Sequence, residues 1–176
     1  MTATVRRAQP GDEAALHEVA AATFALACPP HMTQERVDHF VATVLSEGSF
    51  AAYLADDDRD LFLAEEDGTP LGYAMLVAGE PTDADVAAAL TLRPTAELSK
   101  IYVLPGHHGS GASHALMTAA IEAATARGAA GAWLGVNQLN ERAQKFYGKS
   151  GFTKVGTKRF LVGDAYEDDY VFERPL

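Results

Sequence analysis

Seven residues, His107-His108-Gly109-Ser110-Gly111-Ala112-Ser113, stand between an extended apolar stretch (Leu98 to Leu104) and a long helical pattern. Strand, small-residue turn, then helix is a physical recipe for holding phosphate. The first amides of a helix lack intrahelical partners and sit at the positive end of its dipole, and small residues let an anion reach them. The loop reads as a diphosphate cradle, with an ordinary tight turn as the competing reading. Two common phosphate loops are excluded by spacing. G-x-G-x-x-G would need glycine at 114, which is His114, and the loop does not run on directly into Gly-Lys-Ser/Thr as a Walker loop requires.

Other residues capable of chemistry form weaker groups. The six histidines do not form a metal set: His107 and His108 are adjacent, His114 lies on a helix stripe, and these three have no carboxylate or cysteine partners at ligand spacing. Cys28 is the only cysteine, which rules out an internal disulfide and a multi-cysteine site. Lying between a helix end and two prolines, it reads as a small hydrophobe rather than a nucleophile. Asp164, Glu167, Asp168 and Asp169 can meet cationic groups of a ligand, or form a solvated turn.

These residues need elements to position them. Thr4 to Ala8 reads as a first strand, and Pro10-Gly11-Asp12 starts a helix ending near Ala27 with Leu16, Val19, Ala20, Thr23 and Phe24 at helical spacing. A second helix spans Thr33 to Leu45 and a shorter one about Ser49 to Ala55, giving an arm (1–57) that can lie over a cleft. Leu61 to Glu66 and Leu71 to Val77 form a hairpin across Asp67-Gly68. A loop with a short alanine-rich helix leads to a fourth strand, Glu97 to Leu104. The helix Gly111 to Arg127 carries one polar stripe, His114, Thr118, Glu122 and Thr125, and ends at Gly128. A fifth strand (Ala132 to Val136), a helix (Asn140 to Ser150) and two strands (Thr153 to Val162, Tyr166 to Arg174) complete the chain. The pattern predicts an α/β fold in one domain, 1–176, with the central sheet and loop at 60–136 and the C-terminal helix and strands at 137–176.

The ordered motifs resemble those of the GNAT-type N-acetyltransferases, enzymes that move an acetyl group from acetyl-CoA to an amine. The family's Arg/Gln-x-x-Gly-x-Gly/Ala motif aligns with His108-Gly109-Ser110-Gly111-Ala112-Ser113, after the strand Ile101-Tyr102-Val103-Leu104-Pro105. Asn140-Glu141-Arg142-Ala143-Gln144-Lys145-Phe146-Tyr147-Gly148-Lys149-Ser150-Gly151-Phe152 is similar to its Asn-x-x-Ala-x-x-Phe-Tyr-x-Lys-x-Gly-Phe signature. The resemblance implies a three-layer α/β/α fold, whose mostly antiparallel seven-stranded sheet splays at two central strands to admit acetyl-CoA. His108 stands where the family has Arg or Gln, and Ser113 where it has a small residue. Binding through backbone amides survives both changes, whereas the affinity depends on what the two side chains add.

The same resemblance implies further roles. Tyr147 matches the general acid that protonates the departing thiolate; an ordinary tyrosine keeps its proton at neutral pH, and a core tyrosine is the bland alternative. Glu97 stands where some branches keep a general base, or is a solvent-facing strand-end carboxylate. Asn140 matches a pantetheine contact and is equally suited to cap its helix. Ile101, Tyr102 and Val103 are implied to pair with pantetheine through their backbone, one amide polarising the thioester carbonyl. A narrower similarity, to bacterial PaiA-type polyamine acetyltransferases, rests on Leu98-Ser99-Lys100-Ile101-Tyr102-Val103, Trp133-Leu134-Gly135-Val136 and Phe160-Leu161-Val162-Gly163-Asp164 with Asp169. It implies a polyamine acceptor. A protein N-terminus, an amino acid or a drug amine stays open as acceptor, as does a non-catalytic acyl-CoA-binding module.

Composition narrows the partners. At 176 residues with 48% hydrophobic and 22% charged residues, the chain has material for a substantial core. A formal charge of −10 argues against nucleic acid and is compatible with a cationic small molecule, or simply with solubility. The sequence contains no apolar run of membrane-span length and no signal-peptide pattern, so a cytoplasmic protein without a membrane partner is expected. A homodimer is compatible with this composition.

Overall fold

Alternation of apolar residues in some stretches and helical spacing in others already separates strands from helices, and a computed structural model describes how they pack, for residues 2–107 and 110–176. The elements run β1 (Thr4–Arg7), α1 (Glu13–Ala27), α2 (Gln34–Val44), α3 (Glu47–Ala55), β2 (Arg59–Glu66), β3 (Thr69–Ala78), α4 (Ala84–Ala89), β4 (Thr95–Val103), α5 (Ala112–Ala126), β5 (Gly131–Asn137), α6 (Glu141–Lys149), β6 (Thr153–Val162) and β7 (Ala165–Pro175). Local chemistry sets several boundaries. Thr33 Oγ1 accepts from Arg36 N at 3.2 Å, and Ser46 Oγ from Ser49 N at 3.0 Å, so α2 and α3 begin at side-chain caps. Asp67 and Gly68 both take positive φ (52° and 78°), the geometry of a two-residue hairpin turn between β2 and β3.

The seven strands form one sheet in the order β1-β2-β3-β4-β5-β7-β6. Every neighbouring pair is antiparallel except β4 and β5. On one face α5 and α6 cover a core that includes Leu98, Ile101, Val103, Leu116, Leu134, Tyr147 and Phe172. On the other, α1, α2 and α3 pack Leu16, Phe24, Phe40 and Phe50 against Leu63, Tyr73 and Met75. Beside them α4 lays Val86 over Trp133 and Val171. The result is the three-layer α/β/α arrangement expected, with all three arm helices on a single face.

Two irregularities of β4 shape the centre of the sheet. Its ladder with β3 passes from Met75↔Lys100 to Leu76↔Leu98, leaving Ser99 without a partner as a bulge. The extra residue shifts the alternation by one. Ala96, Leu98, Ile101 and Val103 therefore all point into the α5 core, while Glu97, Lys100 and Tyr102 line the arm side. The second irregularity is that β4 and β5 pair only at Thr95↔Gly131, Ala96↔Ala132 and Glu97↔Trp133. Beyond that rung both strands continue, to Val103 and Asn137, without bonding each other.

Candidate active site

The gap left by the parting of β4 and β5 opens into a cavity of about 530 Å³. One wall is β4, with Glu97, Ser99, Lys100, Ile101, Tyr102 and Val103; another is β5 and α6, with Gly135, Val136, Asn137, Asn140, Phe146 and Tyr147. The arm supplies Phe24, Leu26, Cys28, Met32 and Phe40, and the β6–β7 hairpin supplies Lys158, Phe160, Glu167 and Asp169. Backbone left unpaired at the splay suits an extended, amide-bearing ligand, whose own groups can take the bonds the strands no longer give each other.

Of the residues singled out from sequence, Glu97, Ile101, Tyr102, Val103, Ser113, Asn140 and Tyr147 come together on this cavity. Tyr147 is 8% exposed, its ring 5.7 Å from Phe146 and 6.2 Å from Phe152. Burial pushes its phenol well above the usual tyrosine range, so the proton is held throughout the physiological pH range. Asn140 Oδ1 accepts from Ala143 N at 3.1 Å and caps α6. That bond leaves Nδ2 to serve a ligand as well, so the capping and binding roles are compatible. Glu97 sits on the last bonded rung rather than facing solvent. Burial raises its pKa against the opposing pull of Lys158, Lys100 and Arg59.

The small-residue loop is described only in part, since His108 and Gly109 lie outside the described residues. Gly111 takes φ +83° at the N-cap of α5, and a side chain there would meet open space. Ser110 N donates to His107 O at 3.1 Å, and Ala112 N to Ser110 Oγ at 3.3 Å. Two of the donors expected to reach an anion thus also have partners within the loop. Ala112 is fully buried and its methyl packs into the α5 core. Ser110, Gly111 and Ala112 border α5 rather than line the cavity, whereas Ser113 faces it.

The four acidic residues from Asp164 to Asp169 divide. Asp164 and Asp168 are not buried, as a solvated turn requires, while Glu167 and Asp169 are 6% and 5% exposed and line the cavity. Glu167 fastens the arm to the sheet: it accepts from Arg36 Nη2 at 3.1 Å and from His31 Nε2 at 2.8 Å. Burial would raise its carboxyl, but these partners outweigh it and hold the pKa below the usual glutamate value. Arg36 also donates to Val162 O at 3.0 Å and Ala165 O at 3.3 Å, so one side chain pins α2 to the hairpin turn. Arg36→Ala removes all three bonds and leaves Glu167 with less compensation. We expect it to weaken acceptor binding roughly tenfold, about the worth of one charge-assisted hydrogen bond, with coenzyme A affinity unchanged. Steady-state kinetics varied in each substrate checks this.

Lys100 and Lys158 are lining residues that sequence reasoning did not find. Lys100 lies among β4, Phe40 (5.6 Å from its Nζ) and Glu97. Burial lowers its pKa to about 8, against Glu97, which raises it. Its signal was the break in β4's alternation at Ser99, which turns position 100 from the core to the cavity.

A sequence model of the Acetyltransferase (GNAT) family matches residues 21–152. An N-acetyltransferase of Mycobacterium tuberculosis, itself uncharacterized, is 48% identical over 161 residues, covering 92% of this chain and 96% of that relative. Among solved structures, a PaiA N-acetyltransferase from Thermoplasma acidophilum in complex with coenzyme A superposes with a TM-score of 0.78 at 19% identity, over 100% of both chains. The ribosomal-protein-S18-alanine N-acetyltransferase from Escherichia coli does so with 0.68 at 20% identity, over 99% of this chain and 94% of that one. At these identities the likeness concerns the fold.

Proposed function

Because this chain belongs to the GNAT family of N-acetyltransferases, which draw their acyl group from acetyl-CoA, we propose that it acetylates a primary amine by direct attack in a ternary complex. The observation that carries this reading is the parting of β4 from β5 beyond Glu97 and Trp133, with Tyr147 at the resulting cavity. The unpaired edges of β4 and β5 fit a pantetheine arm, and the start of α5 fits its diphosphate through Gly111 and its neighbours. Ile101, Tyr102 and Val103 act through the backbone, Asn140 through its side-chain amide, and Tyr147 Oη gives its proton to the departing sulfur. Holding both reactants in one cavity, with dipoles already aimed at the developing charge, supplies most of the rate. Glu97 is one candidate to take the acceptor's proton.

A polyamine is the first acceptor class we propose, supported by the fold likeness to the PaiA enzyme and by Glu97, Glu167 and Asp169 on the lining. A specific observation favours a second. Lys100 and Lys158 share that lining and Glu167 is already bonded to Arg36 and His31, so the cavity is not a well of one sign. An amine that also bears a carboxylate, such as an amino acid, suits this mixture. The cytoplasm, where acetyl-CoA is at hand, is the proposed location.

The test is release of free thiol from acetyl-CoA across a panel of spermidine, spermine, amino acids, peptides with free N-termini and simple alkylamines. Turnover of spermidine that falls steeply with salt supports the first acceptor class, and preference for amino acids the second. Coenzyme A binding without thiol release for any amine would turn the reading towards a non-catalytic module.

A further inference from the structure

Glu167, Asp169, Val171 and Glu173 are alternate residues on one face of β7. Three are carboxylates, each at most 6% exposed. Two are fully employed in holding the fold. Glu167 binds Arg36 and His31, and Glu173 accepts from Thr91 N, Thr91 Oγ1 and Leu92 N. Asp169 differs. Its Oδ1 is buried with no hydrogen-bond partner among the described residues. A buried carboxylate oxygen left unpaired is destabilising, and the nearby charge of Lys158 offsets this only in part, without a hydrogen bond to that oxygen.

Its position gives the unpaired oxygen a use. Asp169 pairs with Asn137, four residues along β7 from Glu173, whose partner Trp133 forms the last rung with β4. At ~3.3 Å per residue this sets Asp169 about 13 Å beyond the closed end of the splay, level with the separated part of β4. Glycine at 135 lets the carboxylate lie back over β5: a side chain there would come within 3.3 Å of Asp169 Oδ2. Lys158, its cross-strand neighbour on β6, lies over the same glycine and leaves Asp169 Oδ1 unbonded. Tyr102 on β4 feels the Asp169 charge, which adds to burial in raising its phenol to about 12.

We infer that Asp169 is the catalytic base: its carboxylate takes the proton of the acceptor ammonium in the splayed part of the cavity, ahead of Glu97 at the closed end. This rests on the acetyl-transfer reading. Asp169 removes one proton from R-NH3+, giving a neutral amine whose lone pair forms the C–N bond at the thioester carbonyl. The carbon–sulfur bond then breaks. Tyr147 gives its proton to sulfur and regains one from the acetylated nitrogen, and Asp169 later returns its proton to water. The balance is R-NH3+ plus acetyl-CoA giving R-NH-acetyl, CoA-SH and H+. Burial keeps Asp169 competent, raising its pKa to about 6; Lys158 opposes the rise, and Glu167 and Asp168 add to it. The other charged or titratable groups around this cavity are Tyr73 on β3, Glu97, Lys100 and Tyr102 on β4, Arg142 and Tyr147 on α6, Cys28 and, through Glu167, Arg36 and His31 on the arm.

The decisive variant is Asp169→Asn, assayed for thiol release with spermidine, or with the fastest amine of the panel if spermidine is inert. At pH 7 we expect kcat/KM to fall at least ~100-fold, mostly in kcat, with coenzyme A affinity and melting temperature little changed. The deficit should shrink as pH approaches the acceptor's own pKa, where the amine arrives already neutral. The wild-type acid limb, with its midpoint about 6, should vanish. Should the asparagine variant melt early, Asp169→Ala must regain rate in proportion to added formate. A deficit constant across pH, an acid limb that persists unchanged, or a change in KM alone would overturn the assignment while leaving acetyl transfer intact. A wild type that releases no thiol with any amine removes both.

Discussion

Tyr147→Phe lowers kcat by roughly 10²–10⁴-fold while leaving coenzyme A binding and stability nearly unchanged. The size comes from the loss of one general acid at a buried position, and the selectivity from what surrounds the ring. Tyr147 is packed against Phe146, Phe152 and Phe172, contacts that a phenylalanine keeps in full. No hydrogen bond joins the hydroxyl to another described residue, so its removal breaks nothing that holds the fold. What is lost is a phenol that burial keeps protonated beyond the physiological range. It can still deliver its proton because a thiolate forming beside this buried ring is itself partly desolvated and hence a stronger base than in water. Thiol release under saturating acetyl-CoA measures the drop. A second readout isolates the cause: an acetyl thioester whose leaving thiol is more acidic needs less help, so the gap between the variant and the parent must narrow with it. A variant retaining more than about half of the parental kcat would end the assignment, since a lost general acid costs far more.

Much of this arrangement can be read from the chain before any coordinates, because the relevant signals are local. The hairpin at Asp67-Gly68, the helix begun at Asn140 and the order of strands and helices all come from turn chemistry and periodicity within a few residues. The place of Tyr147 and Asn140 on the cavity is legible through the signature that resembles the family's, which lies within one short helix and its cap. Residues outside that local grammar are harder. Asp169 and Asp168 look alike in sequence, yet one is buried on the cavity and the other exposed, because the difference is the register of β7 against β5. Lys100 is hidden as long as β4 is read with unbroken alternation. The bulge at Ser99 turns its neighbours over, and only the spacing of Leu98 and Ile101, three apart instead of two, betrays it. The parting of β4 and β5 has no local signature at all, since both strands remain regular and merely stop bonding each other.

Glu173→Ala destabilises the protein by about 2–4 kcal/mol, the upper end of what a single buried polar side chain contributes. Glu173 is 5% exposed and its carboxylate accepts from Thr91 N and Leu92 N at 3.0 Å and from Thr91 Oγ1 at 2.7 Å. These bonds tie the segment after α4 to β7, next to the rung on which Glu173 faces Trp133 and Trp133 faces Glu97. Truncation strips the acceptor from two backbone amides and a hydroxyl at once, each bond being to a charged group. For a chain of 176 residues a loss of this size lowers the melting temperature by roughly 4–16 °C. Glu173→Gln keeps one carbonyl acceptor and should lose about half as much, whereas Thr91→Ala removes only the hydroxyl's bond and should lose less again. Urea unfolding of the three variants checks the ranking, and a melting temperature within about 2 °C of the parent for Glu173→Ala would refute it. The same position carries a consequence for function. The closed end of the splay is where β4 and β5 last hold each other, so the folded fraction of this variant should bind coenzyme A more weakly than the parent. Asp169→Asn, further along the same strand and with a carboxylate oxygen unbonded in the fold, should leave that affinity intact. Two carboxylates four residues apart on one strand then separate cleanly, one acting on stability and cofactor binding and the other on the rate of proton removal.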